Sequence, residues 1–92
     1  ASISTAEVLR GDDVDAGLME RLKELRKKEA ALLGVPAYVV FTDASLREMS
    51  VKKPRTMQEF LGISGVGSRK AERYGREFIA VVEKYVSENG GQ

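Results

Sequence analysis

The chain has 92 residues, and its 42% hydrophobic and 32% charged content is typical of one small globular domain with a single core. It contains neither cysteine nor histidine, which excludes disulfides, thiolate metal sites and the usual general base near neutral pH. No apolar run approaches the roughly 20 residues of a membrane span, and no signal peptide is apparent. We therefore expect a cytoplasmic domain without a metal or cofactor.

The distribution of charge is more informative than the net charge of +1. Residues 1–20 carry a net charge of −4, residues 21–76 carry +7, and residues 77–92 carry −2. A basic middle between acidic ends predicts a local surface that faces an anion.

A clear helical pattern begins at Asp15, after residues 1–14, which we predict to be a linker or N-terminal arm. Asp15 is a suitable N-cap, and Gly34 is a suitable C-terminal stop. Glu29 falls inside the apolar stripe and is a local inconsistency. The stripe covers about 100° of the helical wheel and predicts the buried face, with Leu18, Leu22, Leu25, Leu32 and Leu33 as its members.

Residues 36–41, Pro-Ala-Tyr-Val-Val-Phe, form a short apolar run whose residue types favour a β-strand. No other segment is a candidate partner strand, and a strand needs partners to be stable. We therefore predict a short helix that begins at Pro36, with Val39 to Phe41 helical and buried.

Two further helices are predicted between residues 42 and 61. Thr42 is suited to cap a helix that runs to about Met49, and a basic loop containing a proline follows it. Thr56 and Glu59 then form a capping box, which opens a short helix. The residues of that helix predicted to face inward are Met57, Phe60 and Leu61.

A tight turn, Gly65-Val66-Gly67, separates the short helix from a long final helix. Glycine adopts positive φ without strain, so the two glycines allow the chain to reverse between helices. The final helix is predicted to make a close helix contact at Gly75, before a flexible tail over residues 89–92. Its predicted buried residues are Ala71, Tyr74, Phe78, Val82, Tyr85 and Val86. The predicted fold is all-α, a compact bundle of about five helices over residues 15–88.

This turn has the form of a helix-hairpin-helix turn. The next helix presents free amides beside it, and cations lie close by in the chain, which together favour binding of a phosphate. Candidate contacts are Gly65, Gly67, Ser68 and Lys70. The alternative is that the turn only packs two helices together, and the residues of the turn leave both interpretations open.

The same glycines do not form a nucleotide site. The P-loop pattern that begins at Gly62 lacks the lysine that should follow Gly67, and Lys70 replaces the third glycine of the dinucleotide fingerprint. No carboxylate pair or nucleophile elbow suggests catalysis. We therefore predict a module that is not an enzyme.

Basic residues provide the remaining signal. Acidic residues such as Glu24 and Glu72 are interleaved with them, as on an ordinary solvated face. We nevertheless favour weak binding to a phosphate backbone, because three basic groups and an amide-presenting turn exceed what solubility requires. The groups are Lys23, Arg26 and Lys27, then Lys52, Lys53 and Arg55, then Arg69, Arg73 and Arg76.

Two blocks of sequence resemble the HRDC domain, the helicase-and-RNase-D C-terminal module. The first is VPAYVVFTDASL at residues 35–46, preceded by Leu22 to Leu25. The second is FLGISGVG at residues 60–67, followed by Lys70, Arg73, Tyr74 and Gly75. The resemblance covers residues 15–86 and is strongest to bacterial RecQ-type DNA helicases.

The resemblance implies a bundle of about five helices without catalysis of its own, which helps a helicase or nuclease engage single-stranded or branched nucleic acid. In a bacterial helicase of this family, an aromatic residue before the first long helix contacts single-stranded DNA. By our alignment that position is Val14, which cannot stack on a base, so phosphate contacts must contribute more. The resemblance also implies that the glycine turn serves mainly in packing.

Three functions follow as hypotheses: an accessory DNA-binding domain of a RecQ-like helicase, a protein-interaction or regulatory module that docks on the helicase core, and the equivalent domain of an RNase-D-like exonuclease. For the first, the expected partners of this monomeric domain are single-stranded or branched DNA and the rest of the parent helicase, in the bacterial cytoplasm at the nucleoid. The expected contacts are Lys23, Arg26, Lys27, Lys52, Lys53, Arg55, Gly65, Gly67, Ser68 and Lys70.

Overall fold

The structure, a computed structural model, describes residues 14–89. This range contains five helices and no strand: α1 (Ala16–Leu33), α2 (Ala37–Val40), α3 (Asp43–Lys52), α4 (Met57–Leu61) and α5 (Ser68–Glu88). The prediction of an all-α bundle of about five helices is confirmed. The predicted arm and tail, residues 1–14 and 89–92, lie outside the described residues except for Val14 and Asn89.

Both ends of α1 form as their residue types predict. The Asp15 carboxylate accepts a hydrogen bond from the amide three residues later (3.3 Å), which makes it the N-cap. Gly34 ends the helix in a left-handed conformation with φ of 68°. Its amide donates to the Ala31 carbonyl and the next amide donates to the Ala30 carbonyl, which are the two bonds of a Schellman motif.

The centre of the core is an aromatic cluster around Phe41. Its fully buried ring packs edge-to-face on Phe60, Tyr74 and Phe78, with ring centroids 5.9, 5.6 and 5.0 Å away. Such pairs contribute roughly 0.5–1.5 kcal/mol each beyond the burial of apolar area. These rings belong to α4, α5 and the junction between α2 and α3, so the cluster joins parts of the chain that are distant in sequence.

Helix α1 packs against α2, α3 and α5, and α4 packs against α5. The start of α1 contacts the end of α5, where the Tyr85 hydroxyl donates to Asp15 (2.6 Å) and Arg21 forms an ion pair with Glu88. Near the other end of α1, Glu29 lies beside Glu77, in the first half of α5, so the two longest helices are antiparallel. The predicted buried face of α5 is confirmed, although Tyr85 is only partly buried because its hydroxyl reaches the Asp15 cap.

Helix α3 is also antiparallel to α1, because Arg26 pairs with Asp43 at the start of α3 and Asp15 pairs with Lys53 just after its end. The Thr42 hydroxyl caps α3 as predicted. The helix ends at Lys52 and not at about Met49, and Lys53 closes it in a left-handed conformation with φ of 49°.

The prediction for residues 39–41 is only partly correct. Val40 is helical and buried, but the Val39 side chain is 42% exposed. Phe41 is buried, yet its backbone is extended (φ −151°, ψ 149°) and lies outside α2. A four-residue helix completes about one turn and can bury only one side, and an extended Phe41 directs its ring into the core while the chain enters α3.

Four leucine and methionine residues predicted to face the core are instead exposed. Leu32 is 73% exposed, and the other three are exposed to about two-fifths of their surface. A helical wheel gives the direction of a side chain, but it does not show whether a neighbouring element covers that turn of the helix. The predictions for burial of Leu32, Leu33, Met57 and Leu61 were therefore wrong.

The glycines of the turn have different roles. Gly65 has φ of 85°, and a Cβ there would lie 2.5 Å from the Ser45 Oγ. Gly67 has φ of −88° and is the N-cap of α5, and a Cβ there would meet nothing within 4 Å. Gly75 makes the predicted close contact, since a Cβ there would lie 2.8 Å from the Met57 Cε. Only Gly65 of the two turn glycines requires the conformational freedom of glycine.

The same substitution at the two turn glycines should therefore have opposite effects. Gly65→Ser is expected to lower the free energy of unfolding by roughly 1–3 kcal/mol, because of its positive φ and the contact with Ser45. Gly67→Ser is expected to raise it by a few tenths of a kcal/mol, since a serine N-cap accepts a hydrogen bond from the first turn of α5. Urea unfolding measures both, and equal losses would contradict this assignment.

The Asp15 cap should make stability depend on pH. The hydrogen bond from Tyr85 holds the pKa of Asp15 below its ordinary value of 3.8, against the opposing effect of burial and with support from the Leu18 amide and Lys53. A carboxyl group whose pKa is lowered in the folded state stabilises the fold above its unfolded pKa. This contribution is lost as the pH falls through the folded pKa.

Asp15→Asn keeps a capping oxygen and removes the charge. We expect it to lower the free energy of unfolding by about 1 kcal/mol at pH 7, with the difference from the unmodified protein shrinking as the pH falls below 3.8, the ordinary pKa of this group. Urea unfolding at several pH values is the measurement. Glu72→Gln, at an exposed carboxylate of α5, is the control, and a loss for Asp15→Asn that does not vary with pH would contradict the prediction.

Candidate nucleic-acid interface

Arg26 forms hydrogen bonds and an ion pair with other residues of the protein. Its guanidinium donates to the Phe41 carbonyl (3.1 Å) and to the Asp43 carboxylate (2.7 Å), and its side chain is only 12% exposed. This arginine therefore holds the start of α3 against α1. Its position leaves little of the guanidinium accessible to a phosphate.

Lys52 and Lys53 also have carboxylate partners within the protein. The Lys52 Nζ lies 2.9 Å from the Glu48 carboxylate, which is one turn earlier on α3 and buried. The Lys53 Nζ lies 3.5 Å from the Asp15 carboxylate. The positive charge of each lysine is thus balanced locally.

Lys23 and Lys27, by contrast, are exposed on successive turns of α1 and form no ion pair among the residues that the structure describes. Arg47 of α3 is exposed on the neighbouring side. The hydrogen bond from Arg26 is the main cause that holds the pKa of Asp43 below 3.8, and the nearby charges of Lys23 and Arg47 lower it further. We call the surface formed by Lys23, Lys27 and Arg47 the α1–α3 face.

Arg47 is a candidate that our sequence analysis missed. It lies in α3 one turn after Asp43, which occupies the first turn of that helix. The i, i+4 spacing from an acidic residue could have shown that Arg47 shares a helix side with Asp43. The pairing of α3 with α1, which brings Arg47 near Lys23, was not available from the spacing.

The glycine turn is held at the α3 side of the bundle. The Ser45 hydroxyl, in the first turn of α3, donates to the Ser64 carbonyl (2.7 Å). Gly67 has no side chain to cap α5, and Ser68 is exposed beside it. The Lys70 Nζ lies 5.6 Å from the centroid of the Phe41 ring, where a cation–π contact is favourable.

Arg55 lies apart from the α1–α3 face. Its amide donates to the Glu59 carboxylate (2.8 Å), and its side chain lines a shallow groove between α4 and α5 together with Arg76. The ten residues of α3 span about 15 Å between Asp43 and the loop that carries Arg55. The predicted basic groups therefore do not form one continuous site.

The α1–α5 side has a different electrostatic character. Burial raises the pKa of Glu29 above 4.5, and the adjacent Glu77 raises it further, while Lys28 and Arg73 oppose this change. Two carboxylates that face each other disfavour an anionic ligand. The inconsistency of Glu29 within the apolar stripe is explained by its position at the partly buried edge between α1 and α5.

Four large hydrophobic residues near the turn between α1 and α2 are exposed, and the one aromatic residue among them, Tyr38, is 67% exposed. Val14, the position where our alignment placed an aromatic contact, is partly buried against the core instead. Tyr38 was not among the predicted contacts, because its apolar neighbours suggested a buried run. We call Leu32, Leu33, Tyr38 and Val39 the α1–α2 corner.

None of the helices within residues 14–89 has the length and apolar character needed to cross a membrane. Over the same residues, no group of three acidic side chains is placed to hold a metal ion.

Comparison with known proteins agrees with this architecture. The family model of the HRDC domain matches residues 15–82. The ATP-dependent DNA helicase RecQ of Bacillus subtilis is 42% identical over 84 residues, which is 91% of this chain and 14% of that protein. The corresponding helicase of Haemophilus influenzae is 44% identical over 71 residues, which is 77% of this chain and 12% of that protein. The chain thus spans about one-seventh or less of these relatives.

A solved structure, D. radiodurans RecQ HRDC domain 3, has the same fold. It aligns with a TM-score of 0.75 and 34% sequence identity, over 77% of this chain and 93% of that domain. The match therefore includes nearly the whole of an independently solved domain. The chain belongs to the HRDC domain family and is similar to the accessory all-helical domains of RecQ-type helicases.

Proposed function

We propose that this chain is an accessory DNA-binding domain of a RecQ-type helicase, which binds single-stranded or branched DNA weakly through its phosphate backbone. The α1–α3 face carries the proposal, because its three cations are exposed and have no ion-pair partner in the described part of the chain. Exposed cations without internal partners can neutralise phosphates and release the counterions of DNA.

The remaining predicted contacts have different parts in the proposal. The turn residues Gly65, Gly67 and Ser68, with Lys70, are a secondary contact beside the α1–α3 face. Arg55 lies in the loop beyond the far end of α3, too distant to share a short stretch of DNA backbone with Lys23, and would meet a longer or branched strand. The other three predicted contacts stabilise the fold and do not bind DNA directly, because each is paired with a carboxylate of the protein. They are Arg26, Lys52 and Lys53.

Tyr38 adds a contact of a different chemical kind. An exposed aromatic ring can stack on an unpaired base, and stacking of this kind accepts any base. Phosphate contacts also carry no sequence information. We therefore propose binding that is tolerant of sequence and favours single strands, whose bases are free to stack.

Attachment to a helicase would make weak binding useful. A tethered domain binds at an effective concentration set by its linker, so a low intrinsic affinity still keeps DNA near the catalytic region. The named relatives are DNA helicases, which favours this setting over an RNase-D-like exonuclease. We accordingly place the ATP-dependent chemistry in the rest of the parent protein, and the domain with chromosomal DNA in a bacterial cytoplasm.

The α1–α2 corner favours a second candidate function, docking onto protein. Leu32 is 73% exposed and Val39 is 42% exposed, and aliphatic side chains offer neither a charge nor a hydrogen-bond donor to a phosphate. A protein contact through this corner would resist salt, whereas binding to DNA through the α1–α3 face would weaken steeply with salt. Salt dependence therefore separates the two functions.

Charge reversal on the α1–α3 face tests the DNA-binding function. For an oligo(dT) single strand, three or four phosphate contacts give a slope of roughly −2 to −3 in log K against log salt. Lys23→Glu/Lys27→Glu is expected to flatten this slope by at least about 1.4 and to leave the fold intact. Fluorescence anisotropy at several salt concentrations measures the slope, and circular dichroism checks the fold.

Lys28→Glu/Lys84→Glu is the matched control, because it makes the same change in net charge on the α1–α5 side. We expect a smaller effect from this pair. Lys70→Ala is expected to change stability by less than about 0.5 kcal/mol and to weaken binding less than the Lys23/Lys27 reversal does. Undetectable binding of the unmodified domain at low salt would favour protein docking, and a larger loss from Lys70→Ala would make the glycine turn the primary site.

Tyr38 can be tested separately from charge. Tyr38→Ala should weaken binding to single-stranded DNA by about 1–3 kcal/mol, while Tyr38→Phe keeps the ring and should bind nearly as well as the unmodified protein. Neither change removes a cation, so the salt slope should stay the same. Anisotropy titrations at fixed salt measure the affinity, and equal losses for the two variants would exclude stacking as the role of Tyr38.

A further inference from the structure

We propose that Glu48 is a positioning residue that withholds Lys52 from DNA while it anchors the glycine turn to α3. The proposal rests on the proposed DNA-binding function and concerns which cations can take part in it. Glu48 lies in the middle of α3, and its side chain is 1% exposed. A buried carboxylate requires donors from the protein, because water cannot reach it.

The structure supplies two donors to one oxygen of this carboxylate. Glu48 Oε2 accepts from the Lys52 Nζ at 2.9 Å and from the Ser64 amide at 3.2 Å. The other oxygen, Oε1, is buried and has no hydrogen-bond partner in the described part of the protein. The ionised carboxylate therefore depends on Lys52 and Ser64.

The balance of these effects keeps Glu48 charged. Burial raises the pKa of Glu48, but the hydrogen bonds from Lys52 and Ser64 more than offset it, so the pKa lies below its ordinary value of 4.5. At neutral pH the group is a buried anion next to a single cation. Loss of that cation would leave a buried charge without compensation, which is strongly unfavourable.

This dependence restricts what Lys52 can do. Its side chain is 43% exposed and lies at the end of α3, next to the basic loop, so it has the appearance of a phosphate contact. An approaching phosphate meets a lysine–glutamate pair that has no net charge. Lys52 cannot move to the phosphate without leaving Glu48 unpaired. The Lys52 ammonium therefore neutralises the Glu48 carboxylate and not a phosphate of the DNA.

The same carboxylate positions the glycine turn. The Ser64 amide donates to Glu48, and the Ser64 carbonyl accepts from the Ser45 hydroxyl at 2.7 Å. Two side chains on successive turns of α3 thus satisfy both backbone polar groups of Ser64, immediately before Gly65. The ion pair with Lys52 keeps Glu48 ionised, and the carboxylate then accepts hydrogen bonds from Lys52 and from the Ser64 amide.

Removal of the negative charge should release the positive one. Glu48→Gln keeps an oxygen that can accept from the Ser64 amide, and it leaves the Lys52 ammonium without an opposing charge. We expect the salt slope for oligo(dT) to become steeper by about 0.7, the value for one further phosphate on a single strand, with tighter binding at low salt. Glu72→Gln makes the same change in net charge on the exposed surface of α5 and should alter the slope less.

The companion variants complete a double-mutant cycle. Lys52→Met alone should leave the slope unchanged, and Glu48→Gln/Lys52→Met should return it to that of the unmodified domain. A slope flattened by about 0.7 in Lys52→Met would show that Lys52 contacts DNA and would overturn the proposal. An unchanged slope in Glu48→Gln, with the fold confirmed by circular dichroism, would overturn it as well.

A measurement without DNA separates this proposal from the proposed function. The side-chain carboxyl of Glu48 is titrated by NMR in the unmodified domain and in Lys52→Met. We expect a pKa below 4.5 in the first and above 4.5 in the second, where burial then outweighs the remaining Ser64 bond. The same pKa in both would refute the ion pair even if Glu48→Gln fails to fold. Undetectable DNA binding would refute the proposed function and leave the titration to decide the role of Glu48.

Discussion

The position of Phe41 is the constraint on which most of this structure depends. Its extended backbone between α2 and α3 allows one ring to contact α4 and α5 at the same time. Its carbonyl accepts from Arg26 of α1, and its ring lies beneath the ammonium of Lys70. One residue thus joins the core to the start of α3 and to the start of α5. The short length of α2 follows from this, since a longer helix would carry Phe41 past the core.

The fold also decides which cations remain available for a ligand. Arg26, Lys52 and Lys53 compensate the charges of Asp43, Glu48 and Asp15, two of which lie at helix starts. Lys23, Lys27 and Arg47 compensate no carboxylate at ion-pair distance among the described residues. A count of basic residues therefore overestimates the surface that can bind phosphate. The net charge of +1 says little about that surface, because paired and unpaired cations contribute equally to it.

Part of the candidate site could be predicted from the sequence and part could not. Lys23 and Lys27 were identified because helical periodicity places them opposite the apolar stripe. Arg47 and Tyr38 were missed. The position of Arg47 beside Lys23 depends on how α3 packs on α1, and the exposure of Tyr38 depends on which side of the one-turn helix α2 is covered. The internal use of Arg26 was equally hidden, because its partners Phe41 and Asp43 lie 15 and 17 residues away in the chain.

The sequence by itself determined the helical class, the caps at Asp15, Thr42 and Thr56, and the sharp end of α1 at Gly34. These features depend on contacts within a few residues, and residue types and spacing describe such contacts directly. The tertiary structure alone decided the exposure of Leu32, the close contact of Gly65 with Ser45 and the burial of Glu48. Each of these depends on whether a part of the chain that is remote in sequence packs against the residue, so no local pattern could encode it.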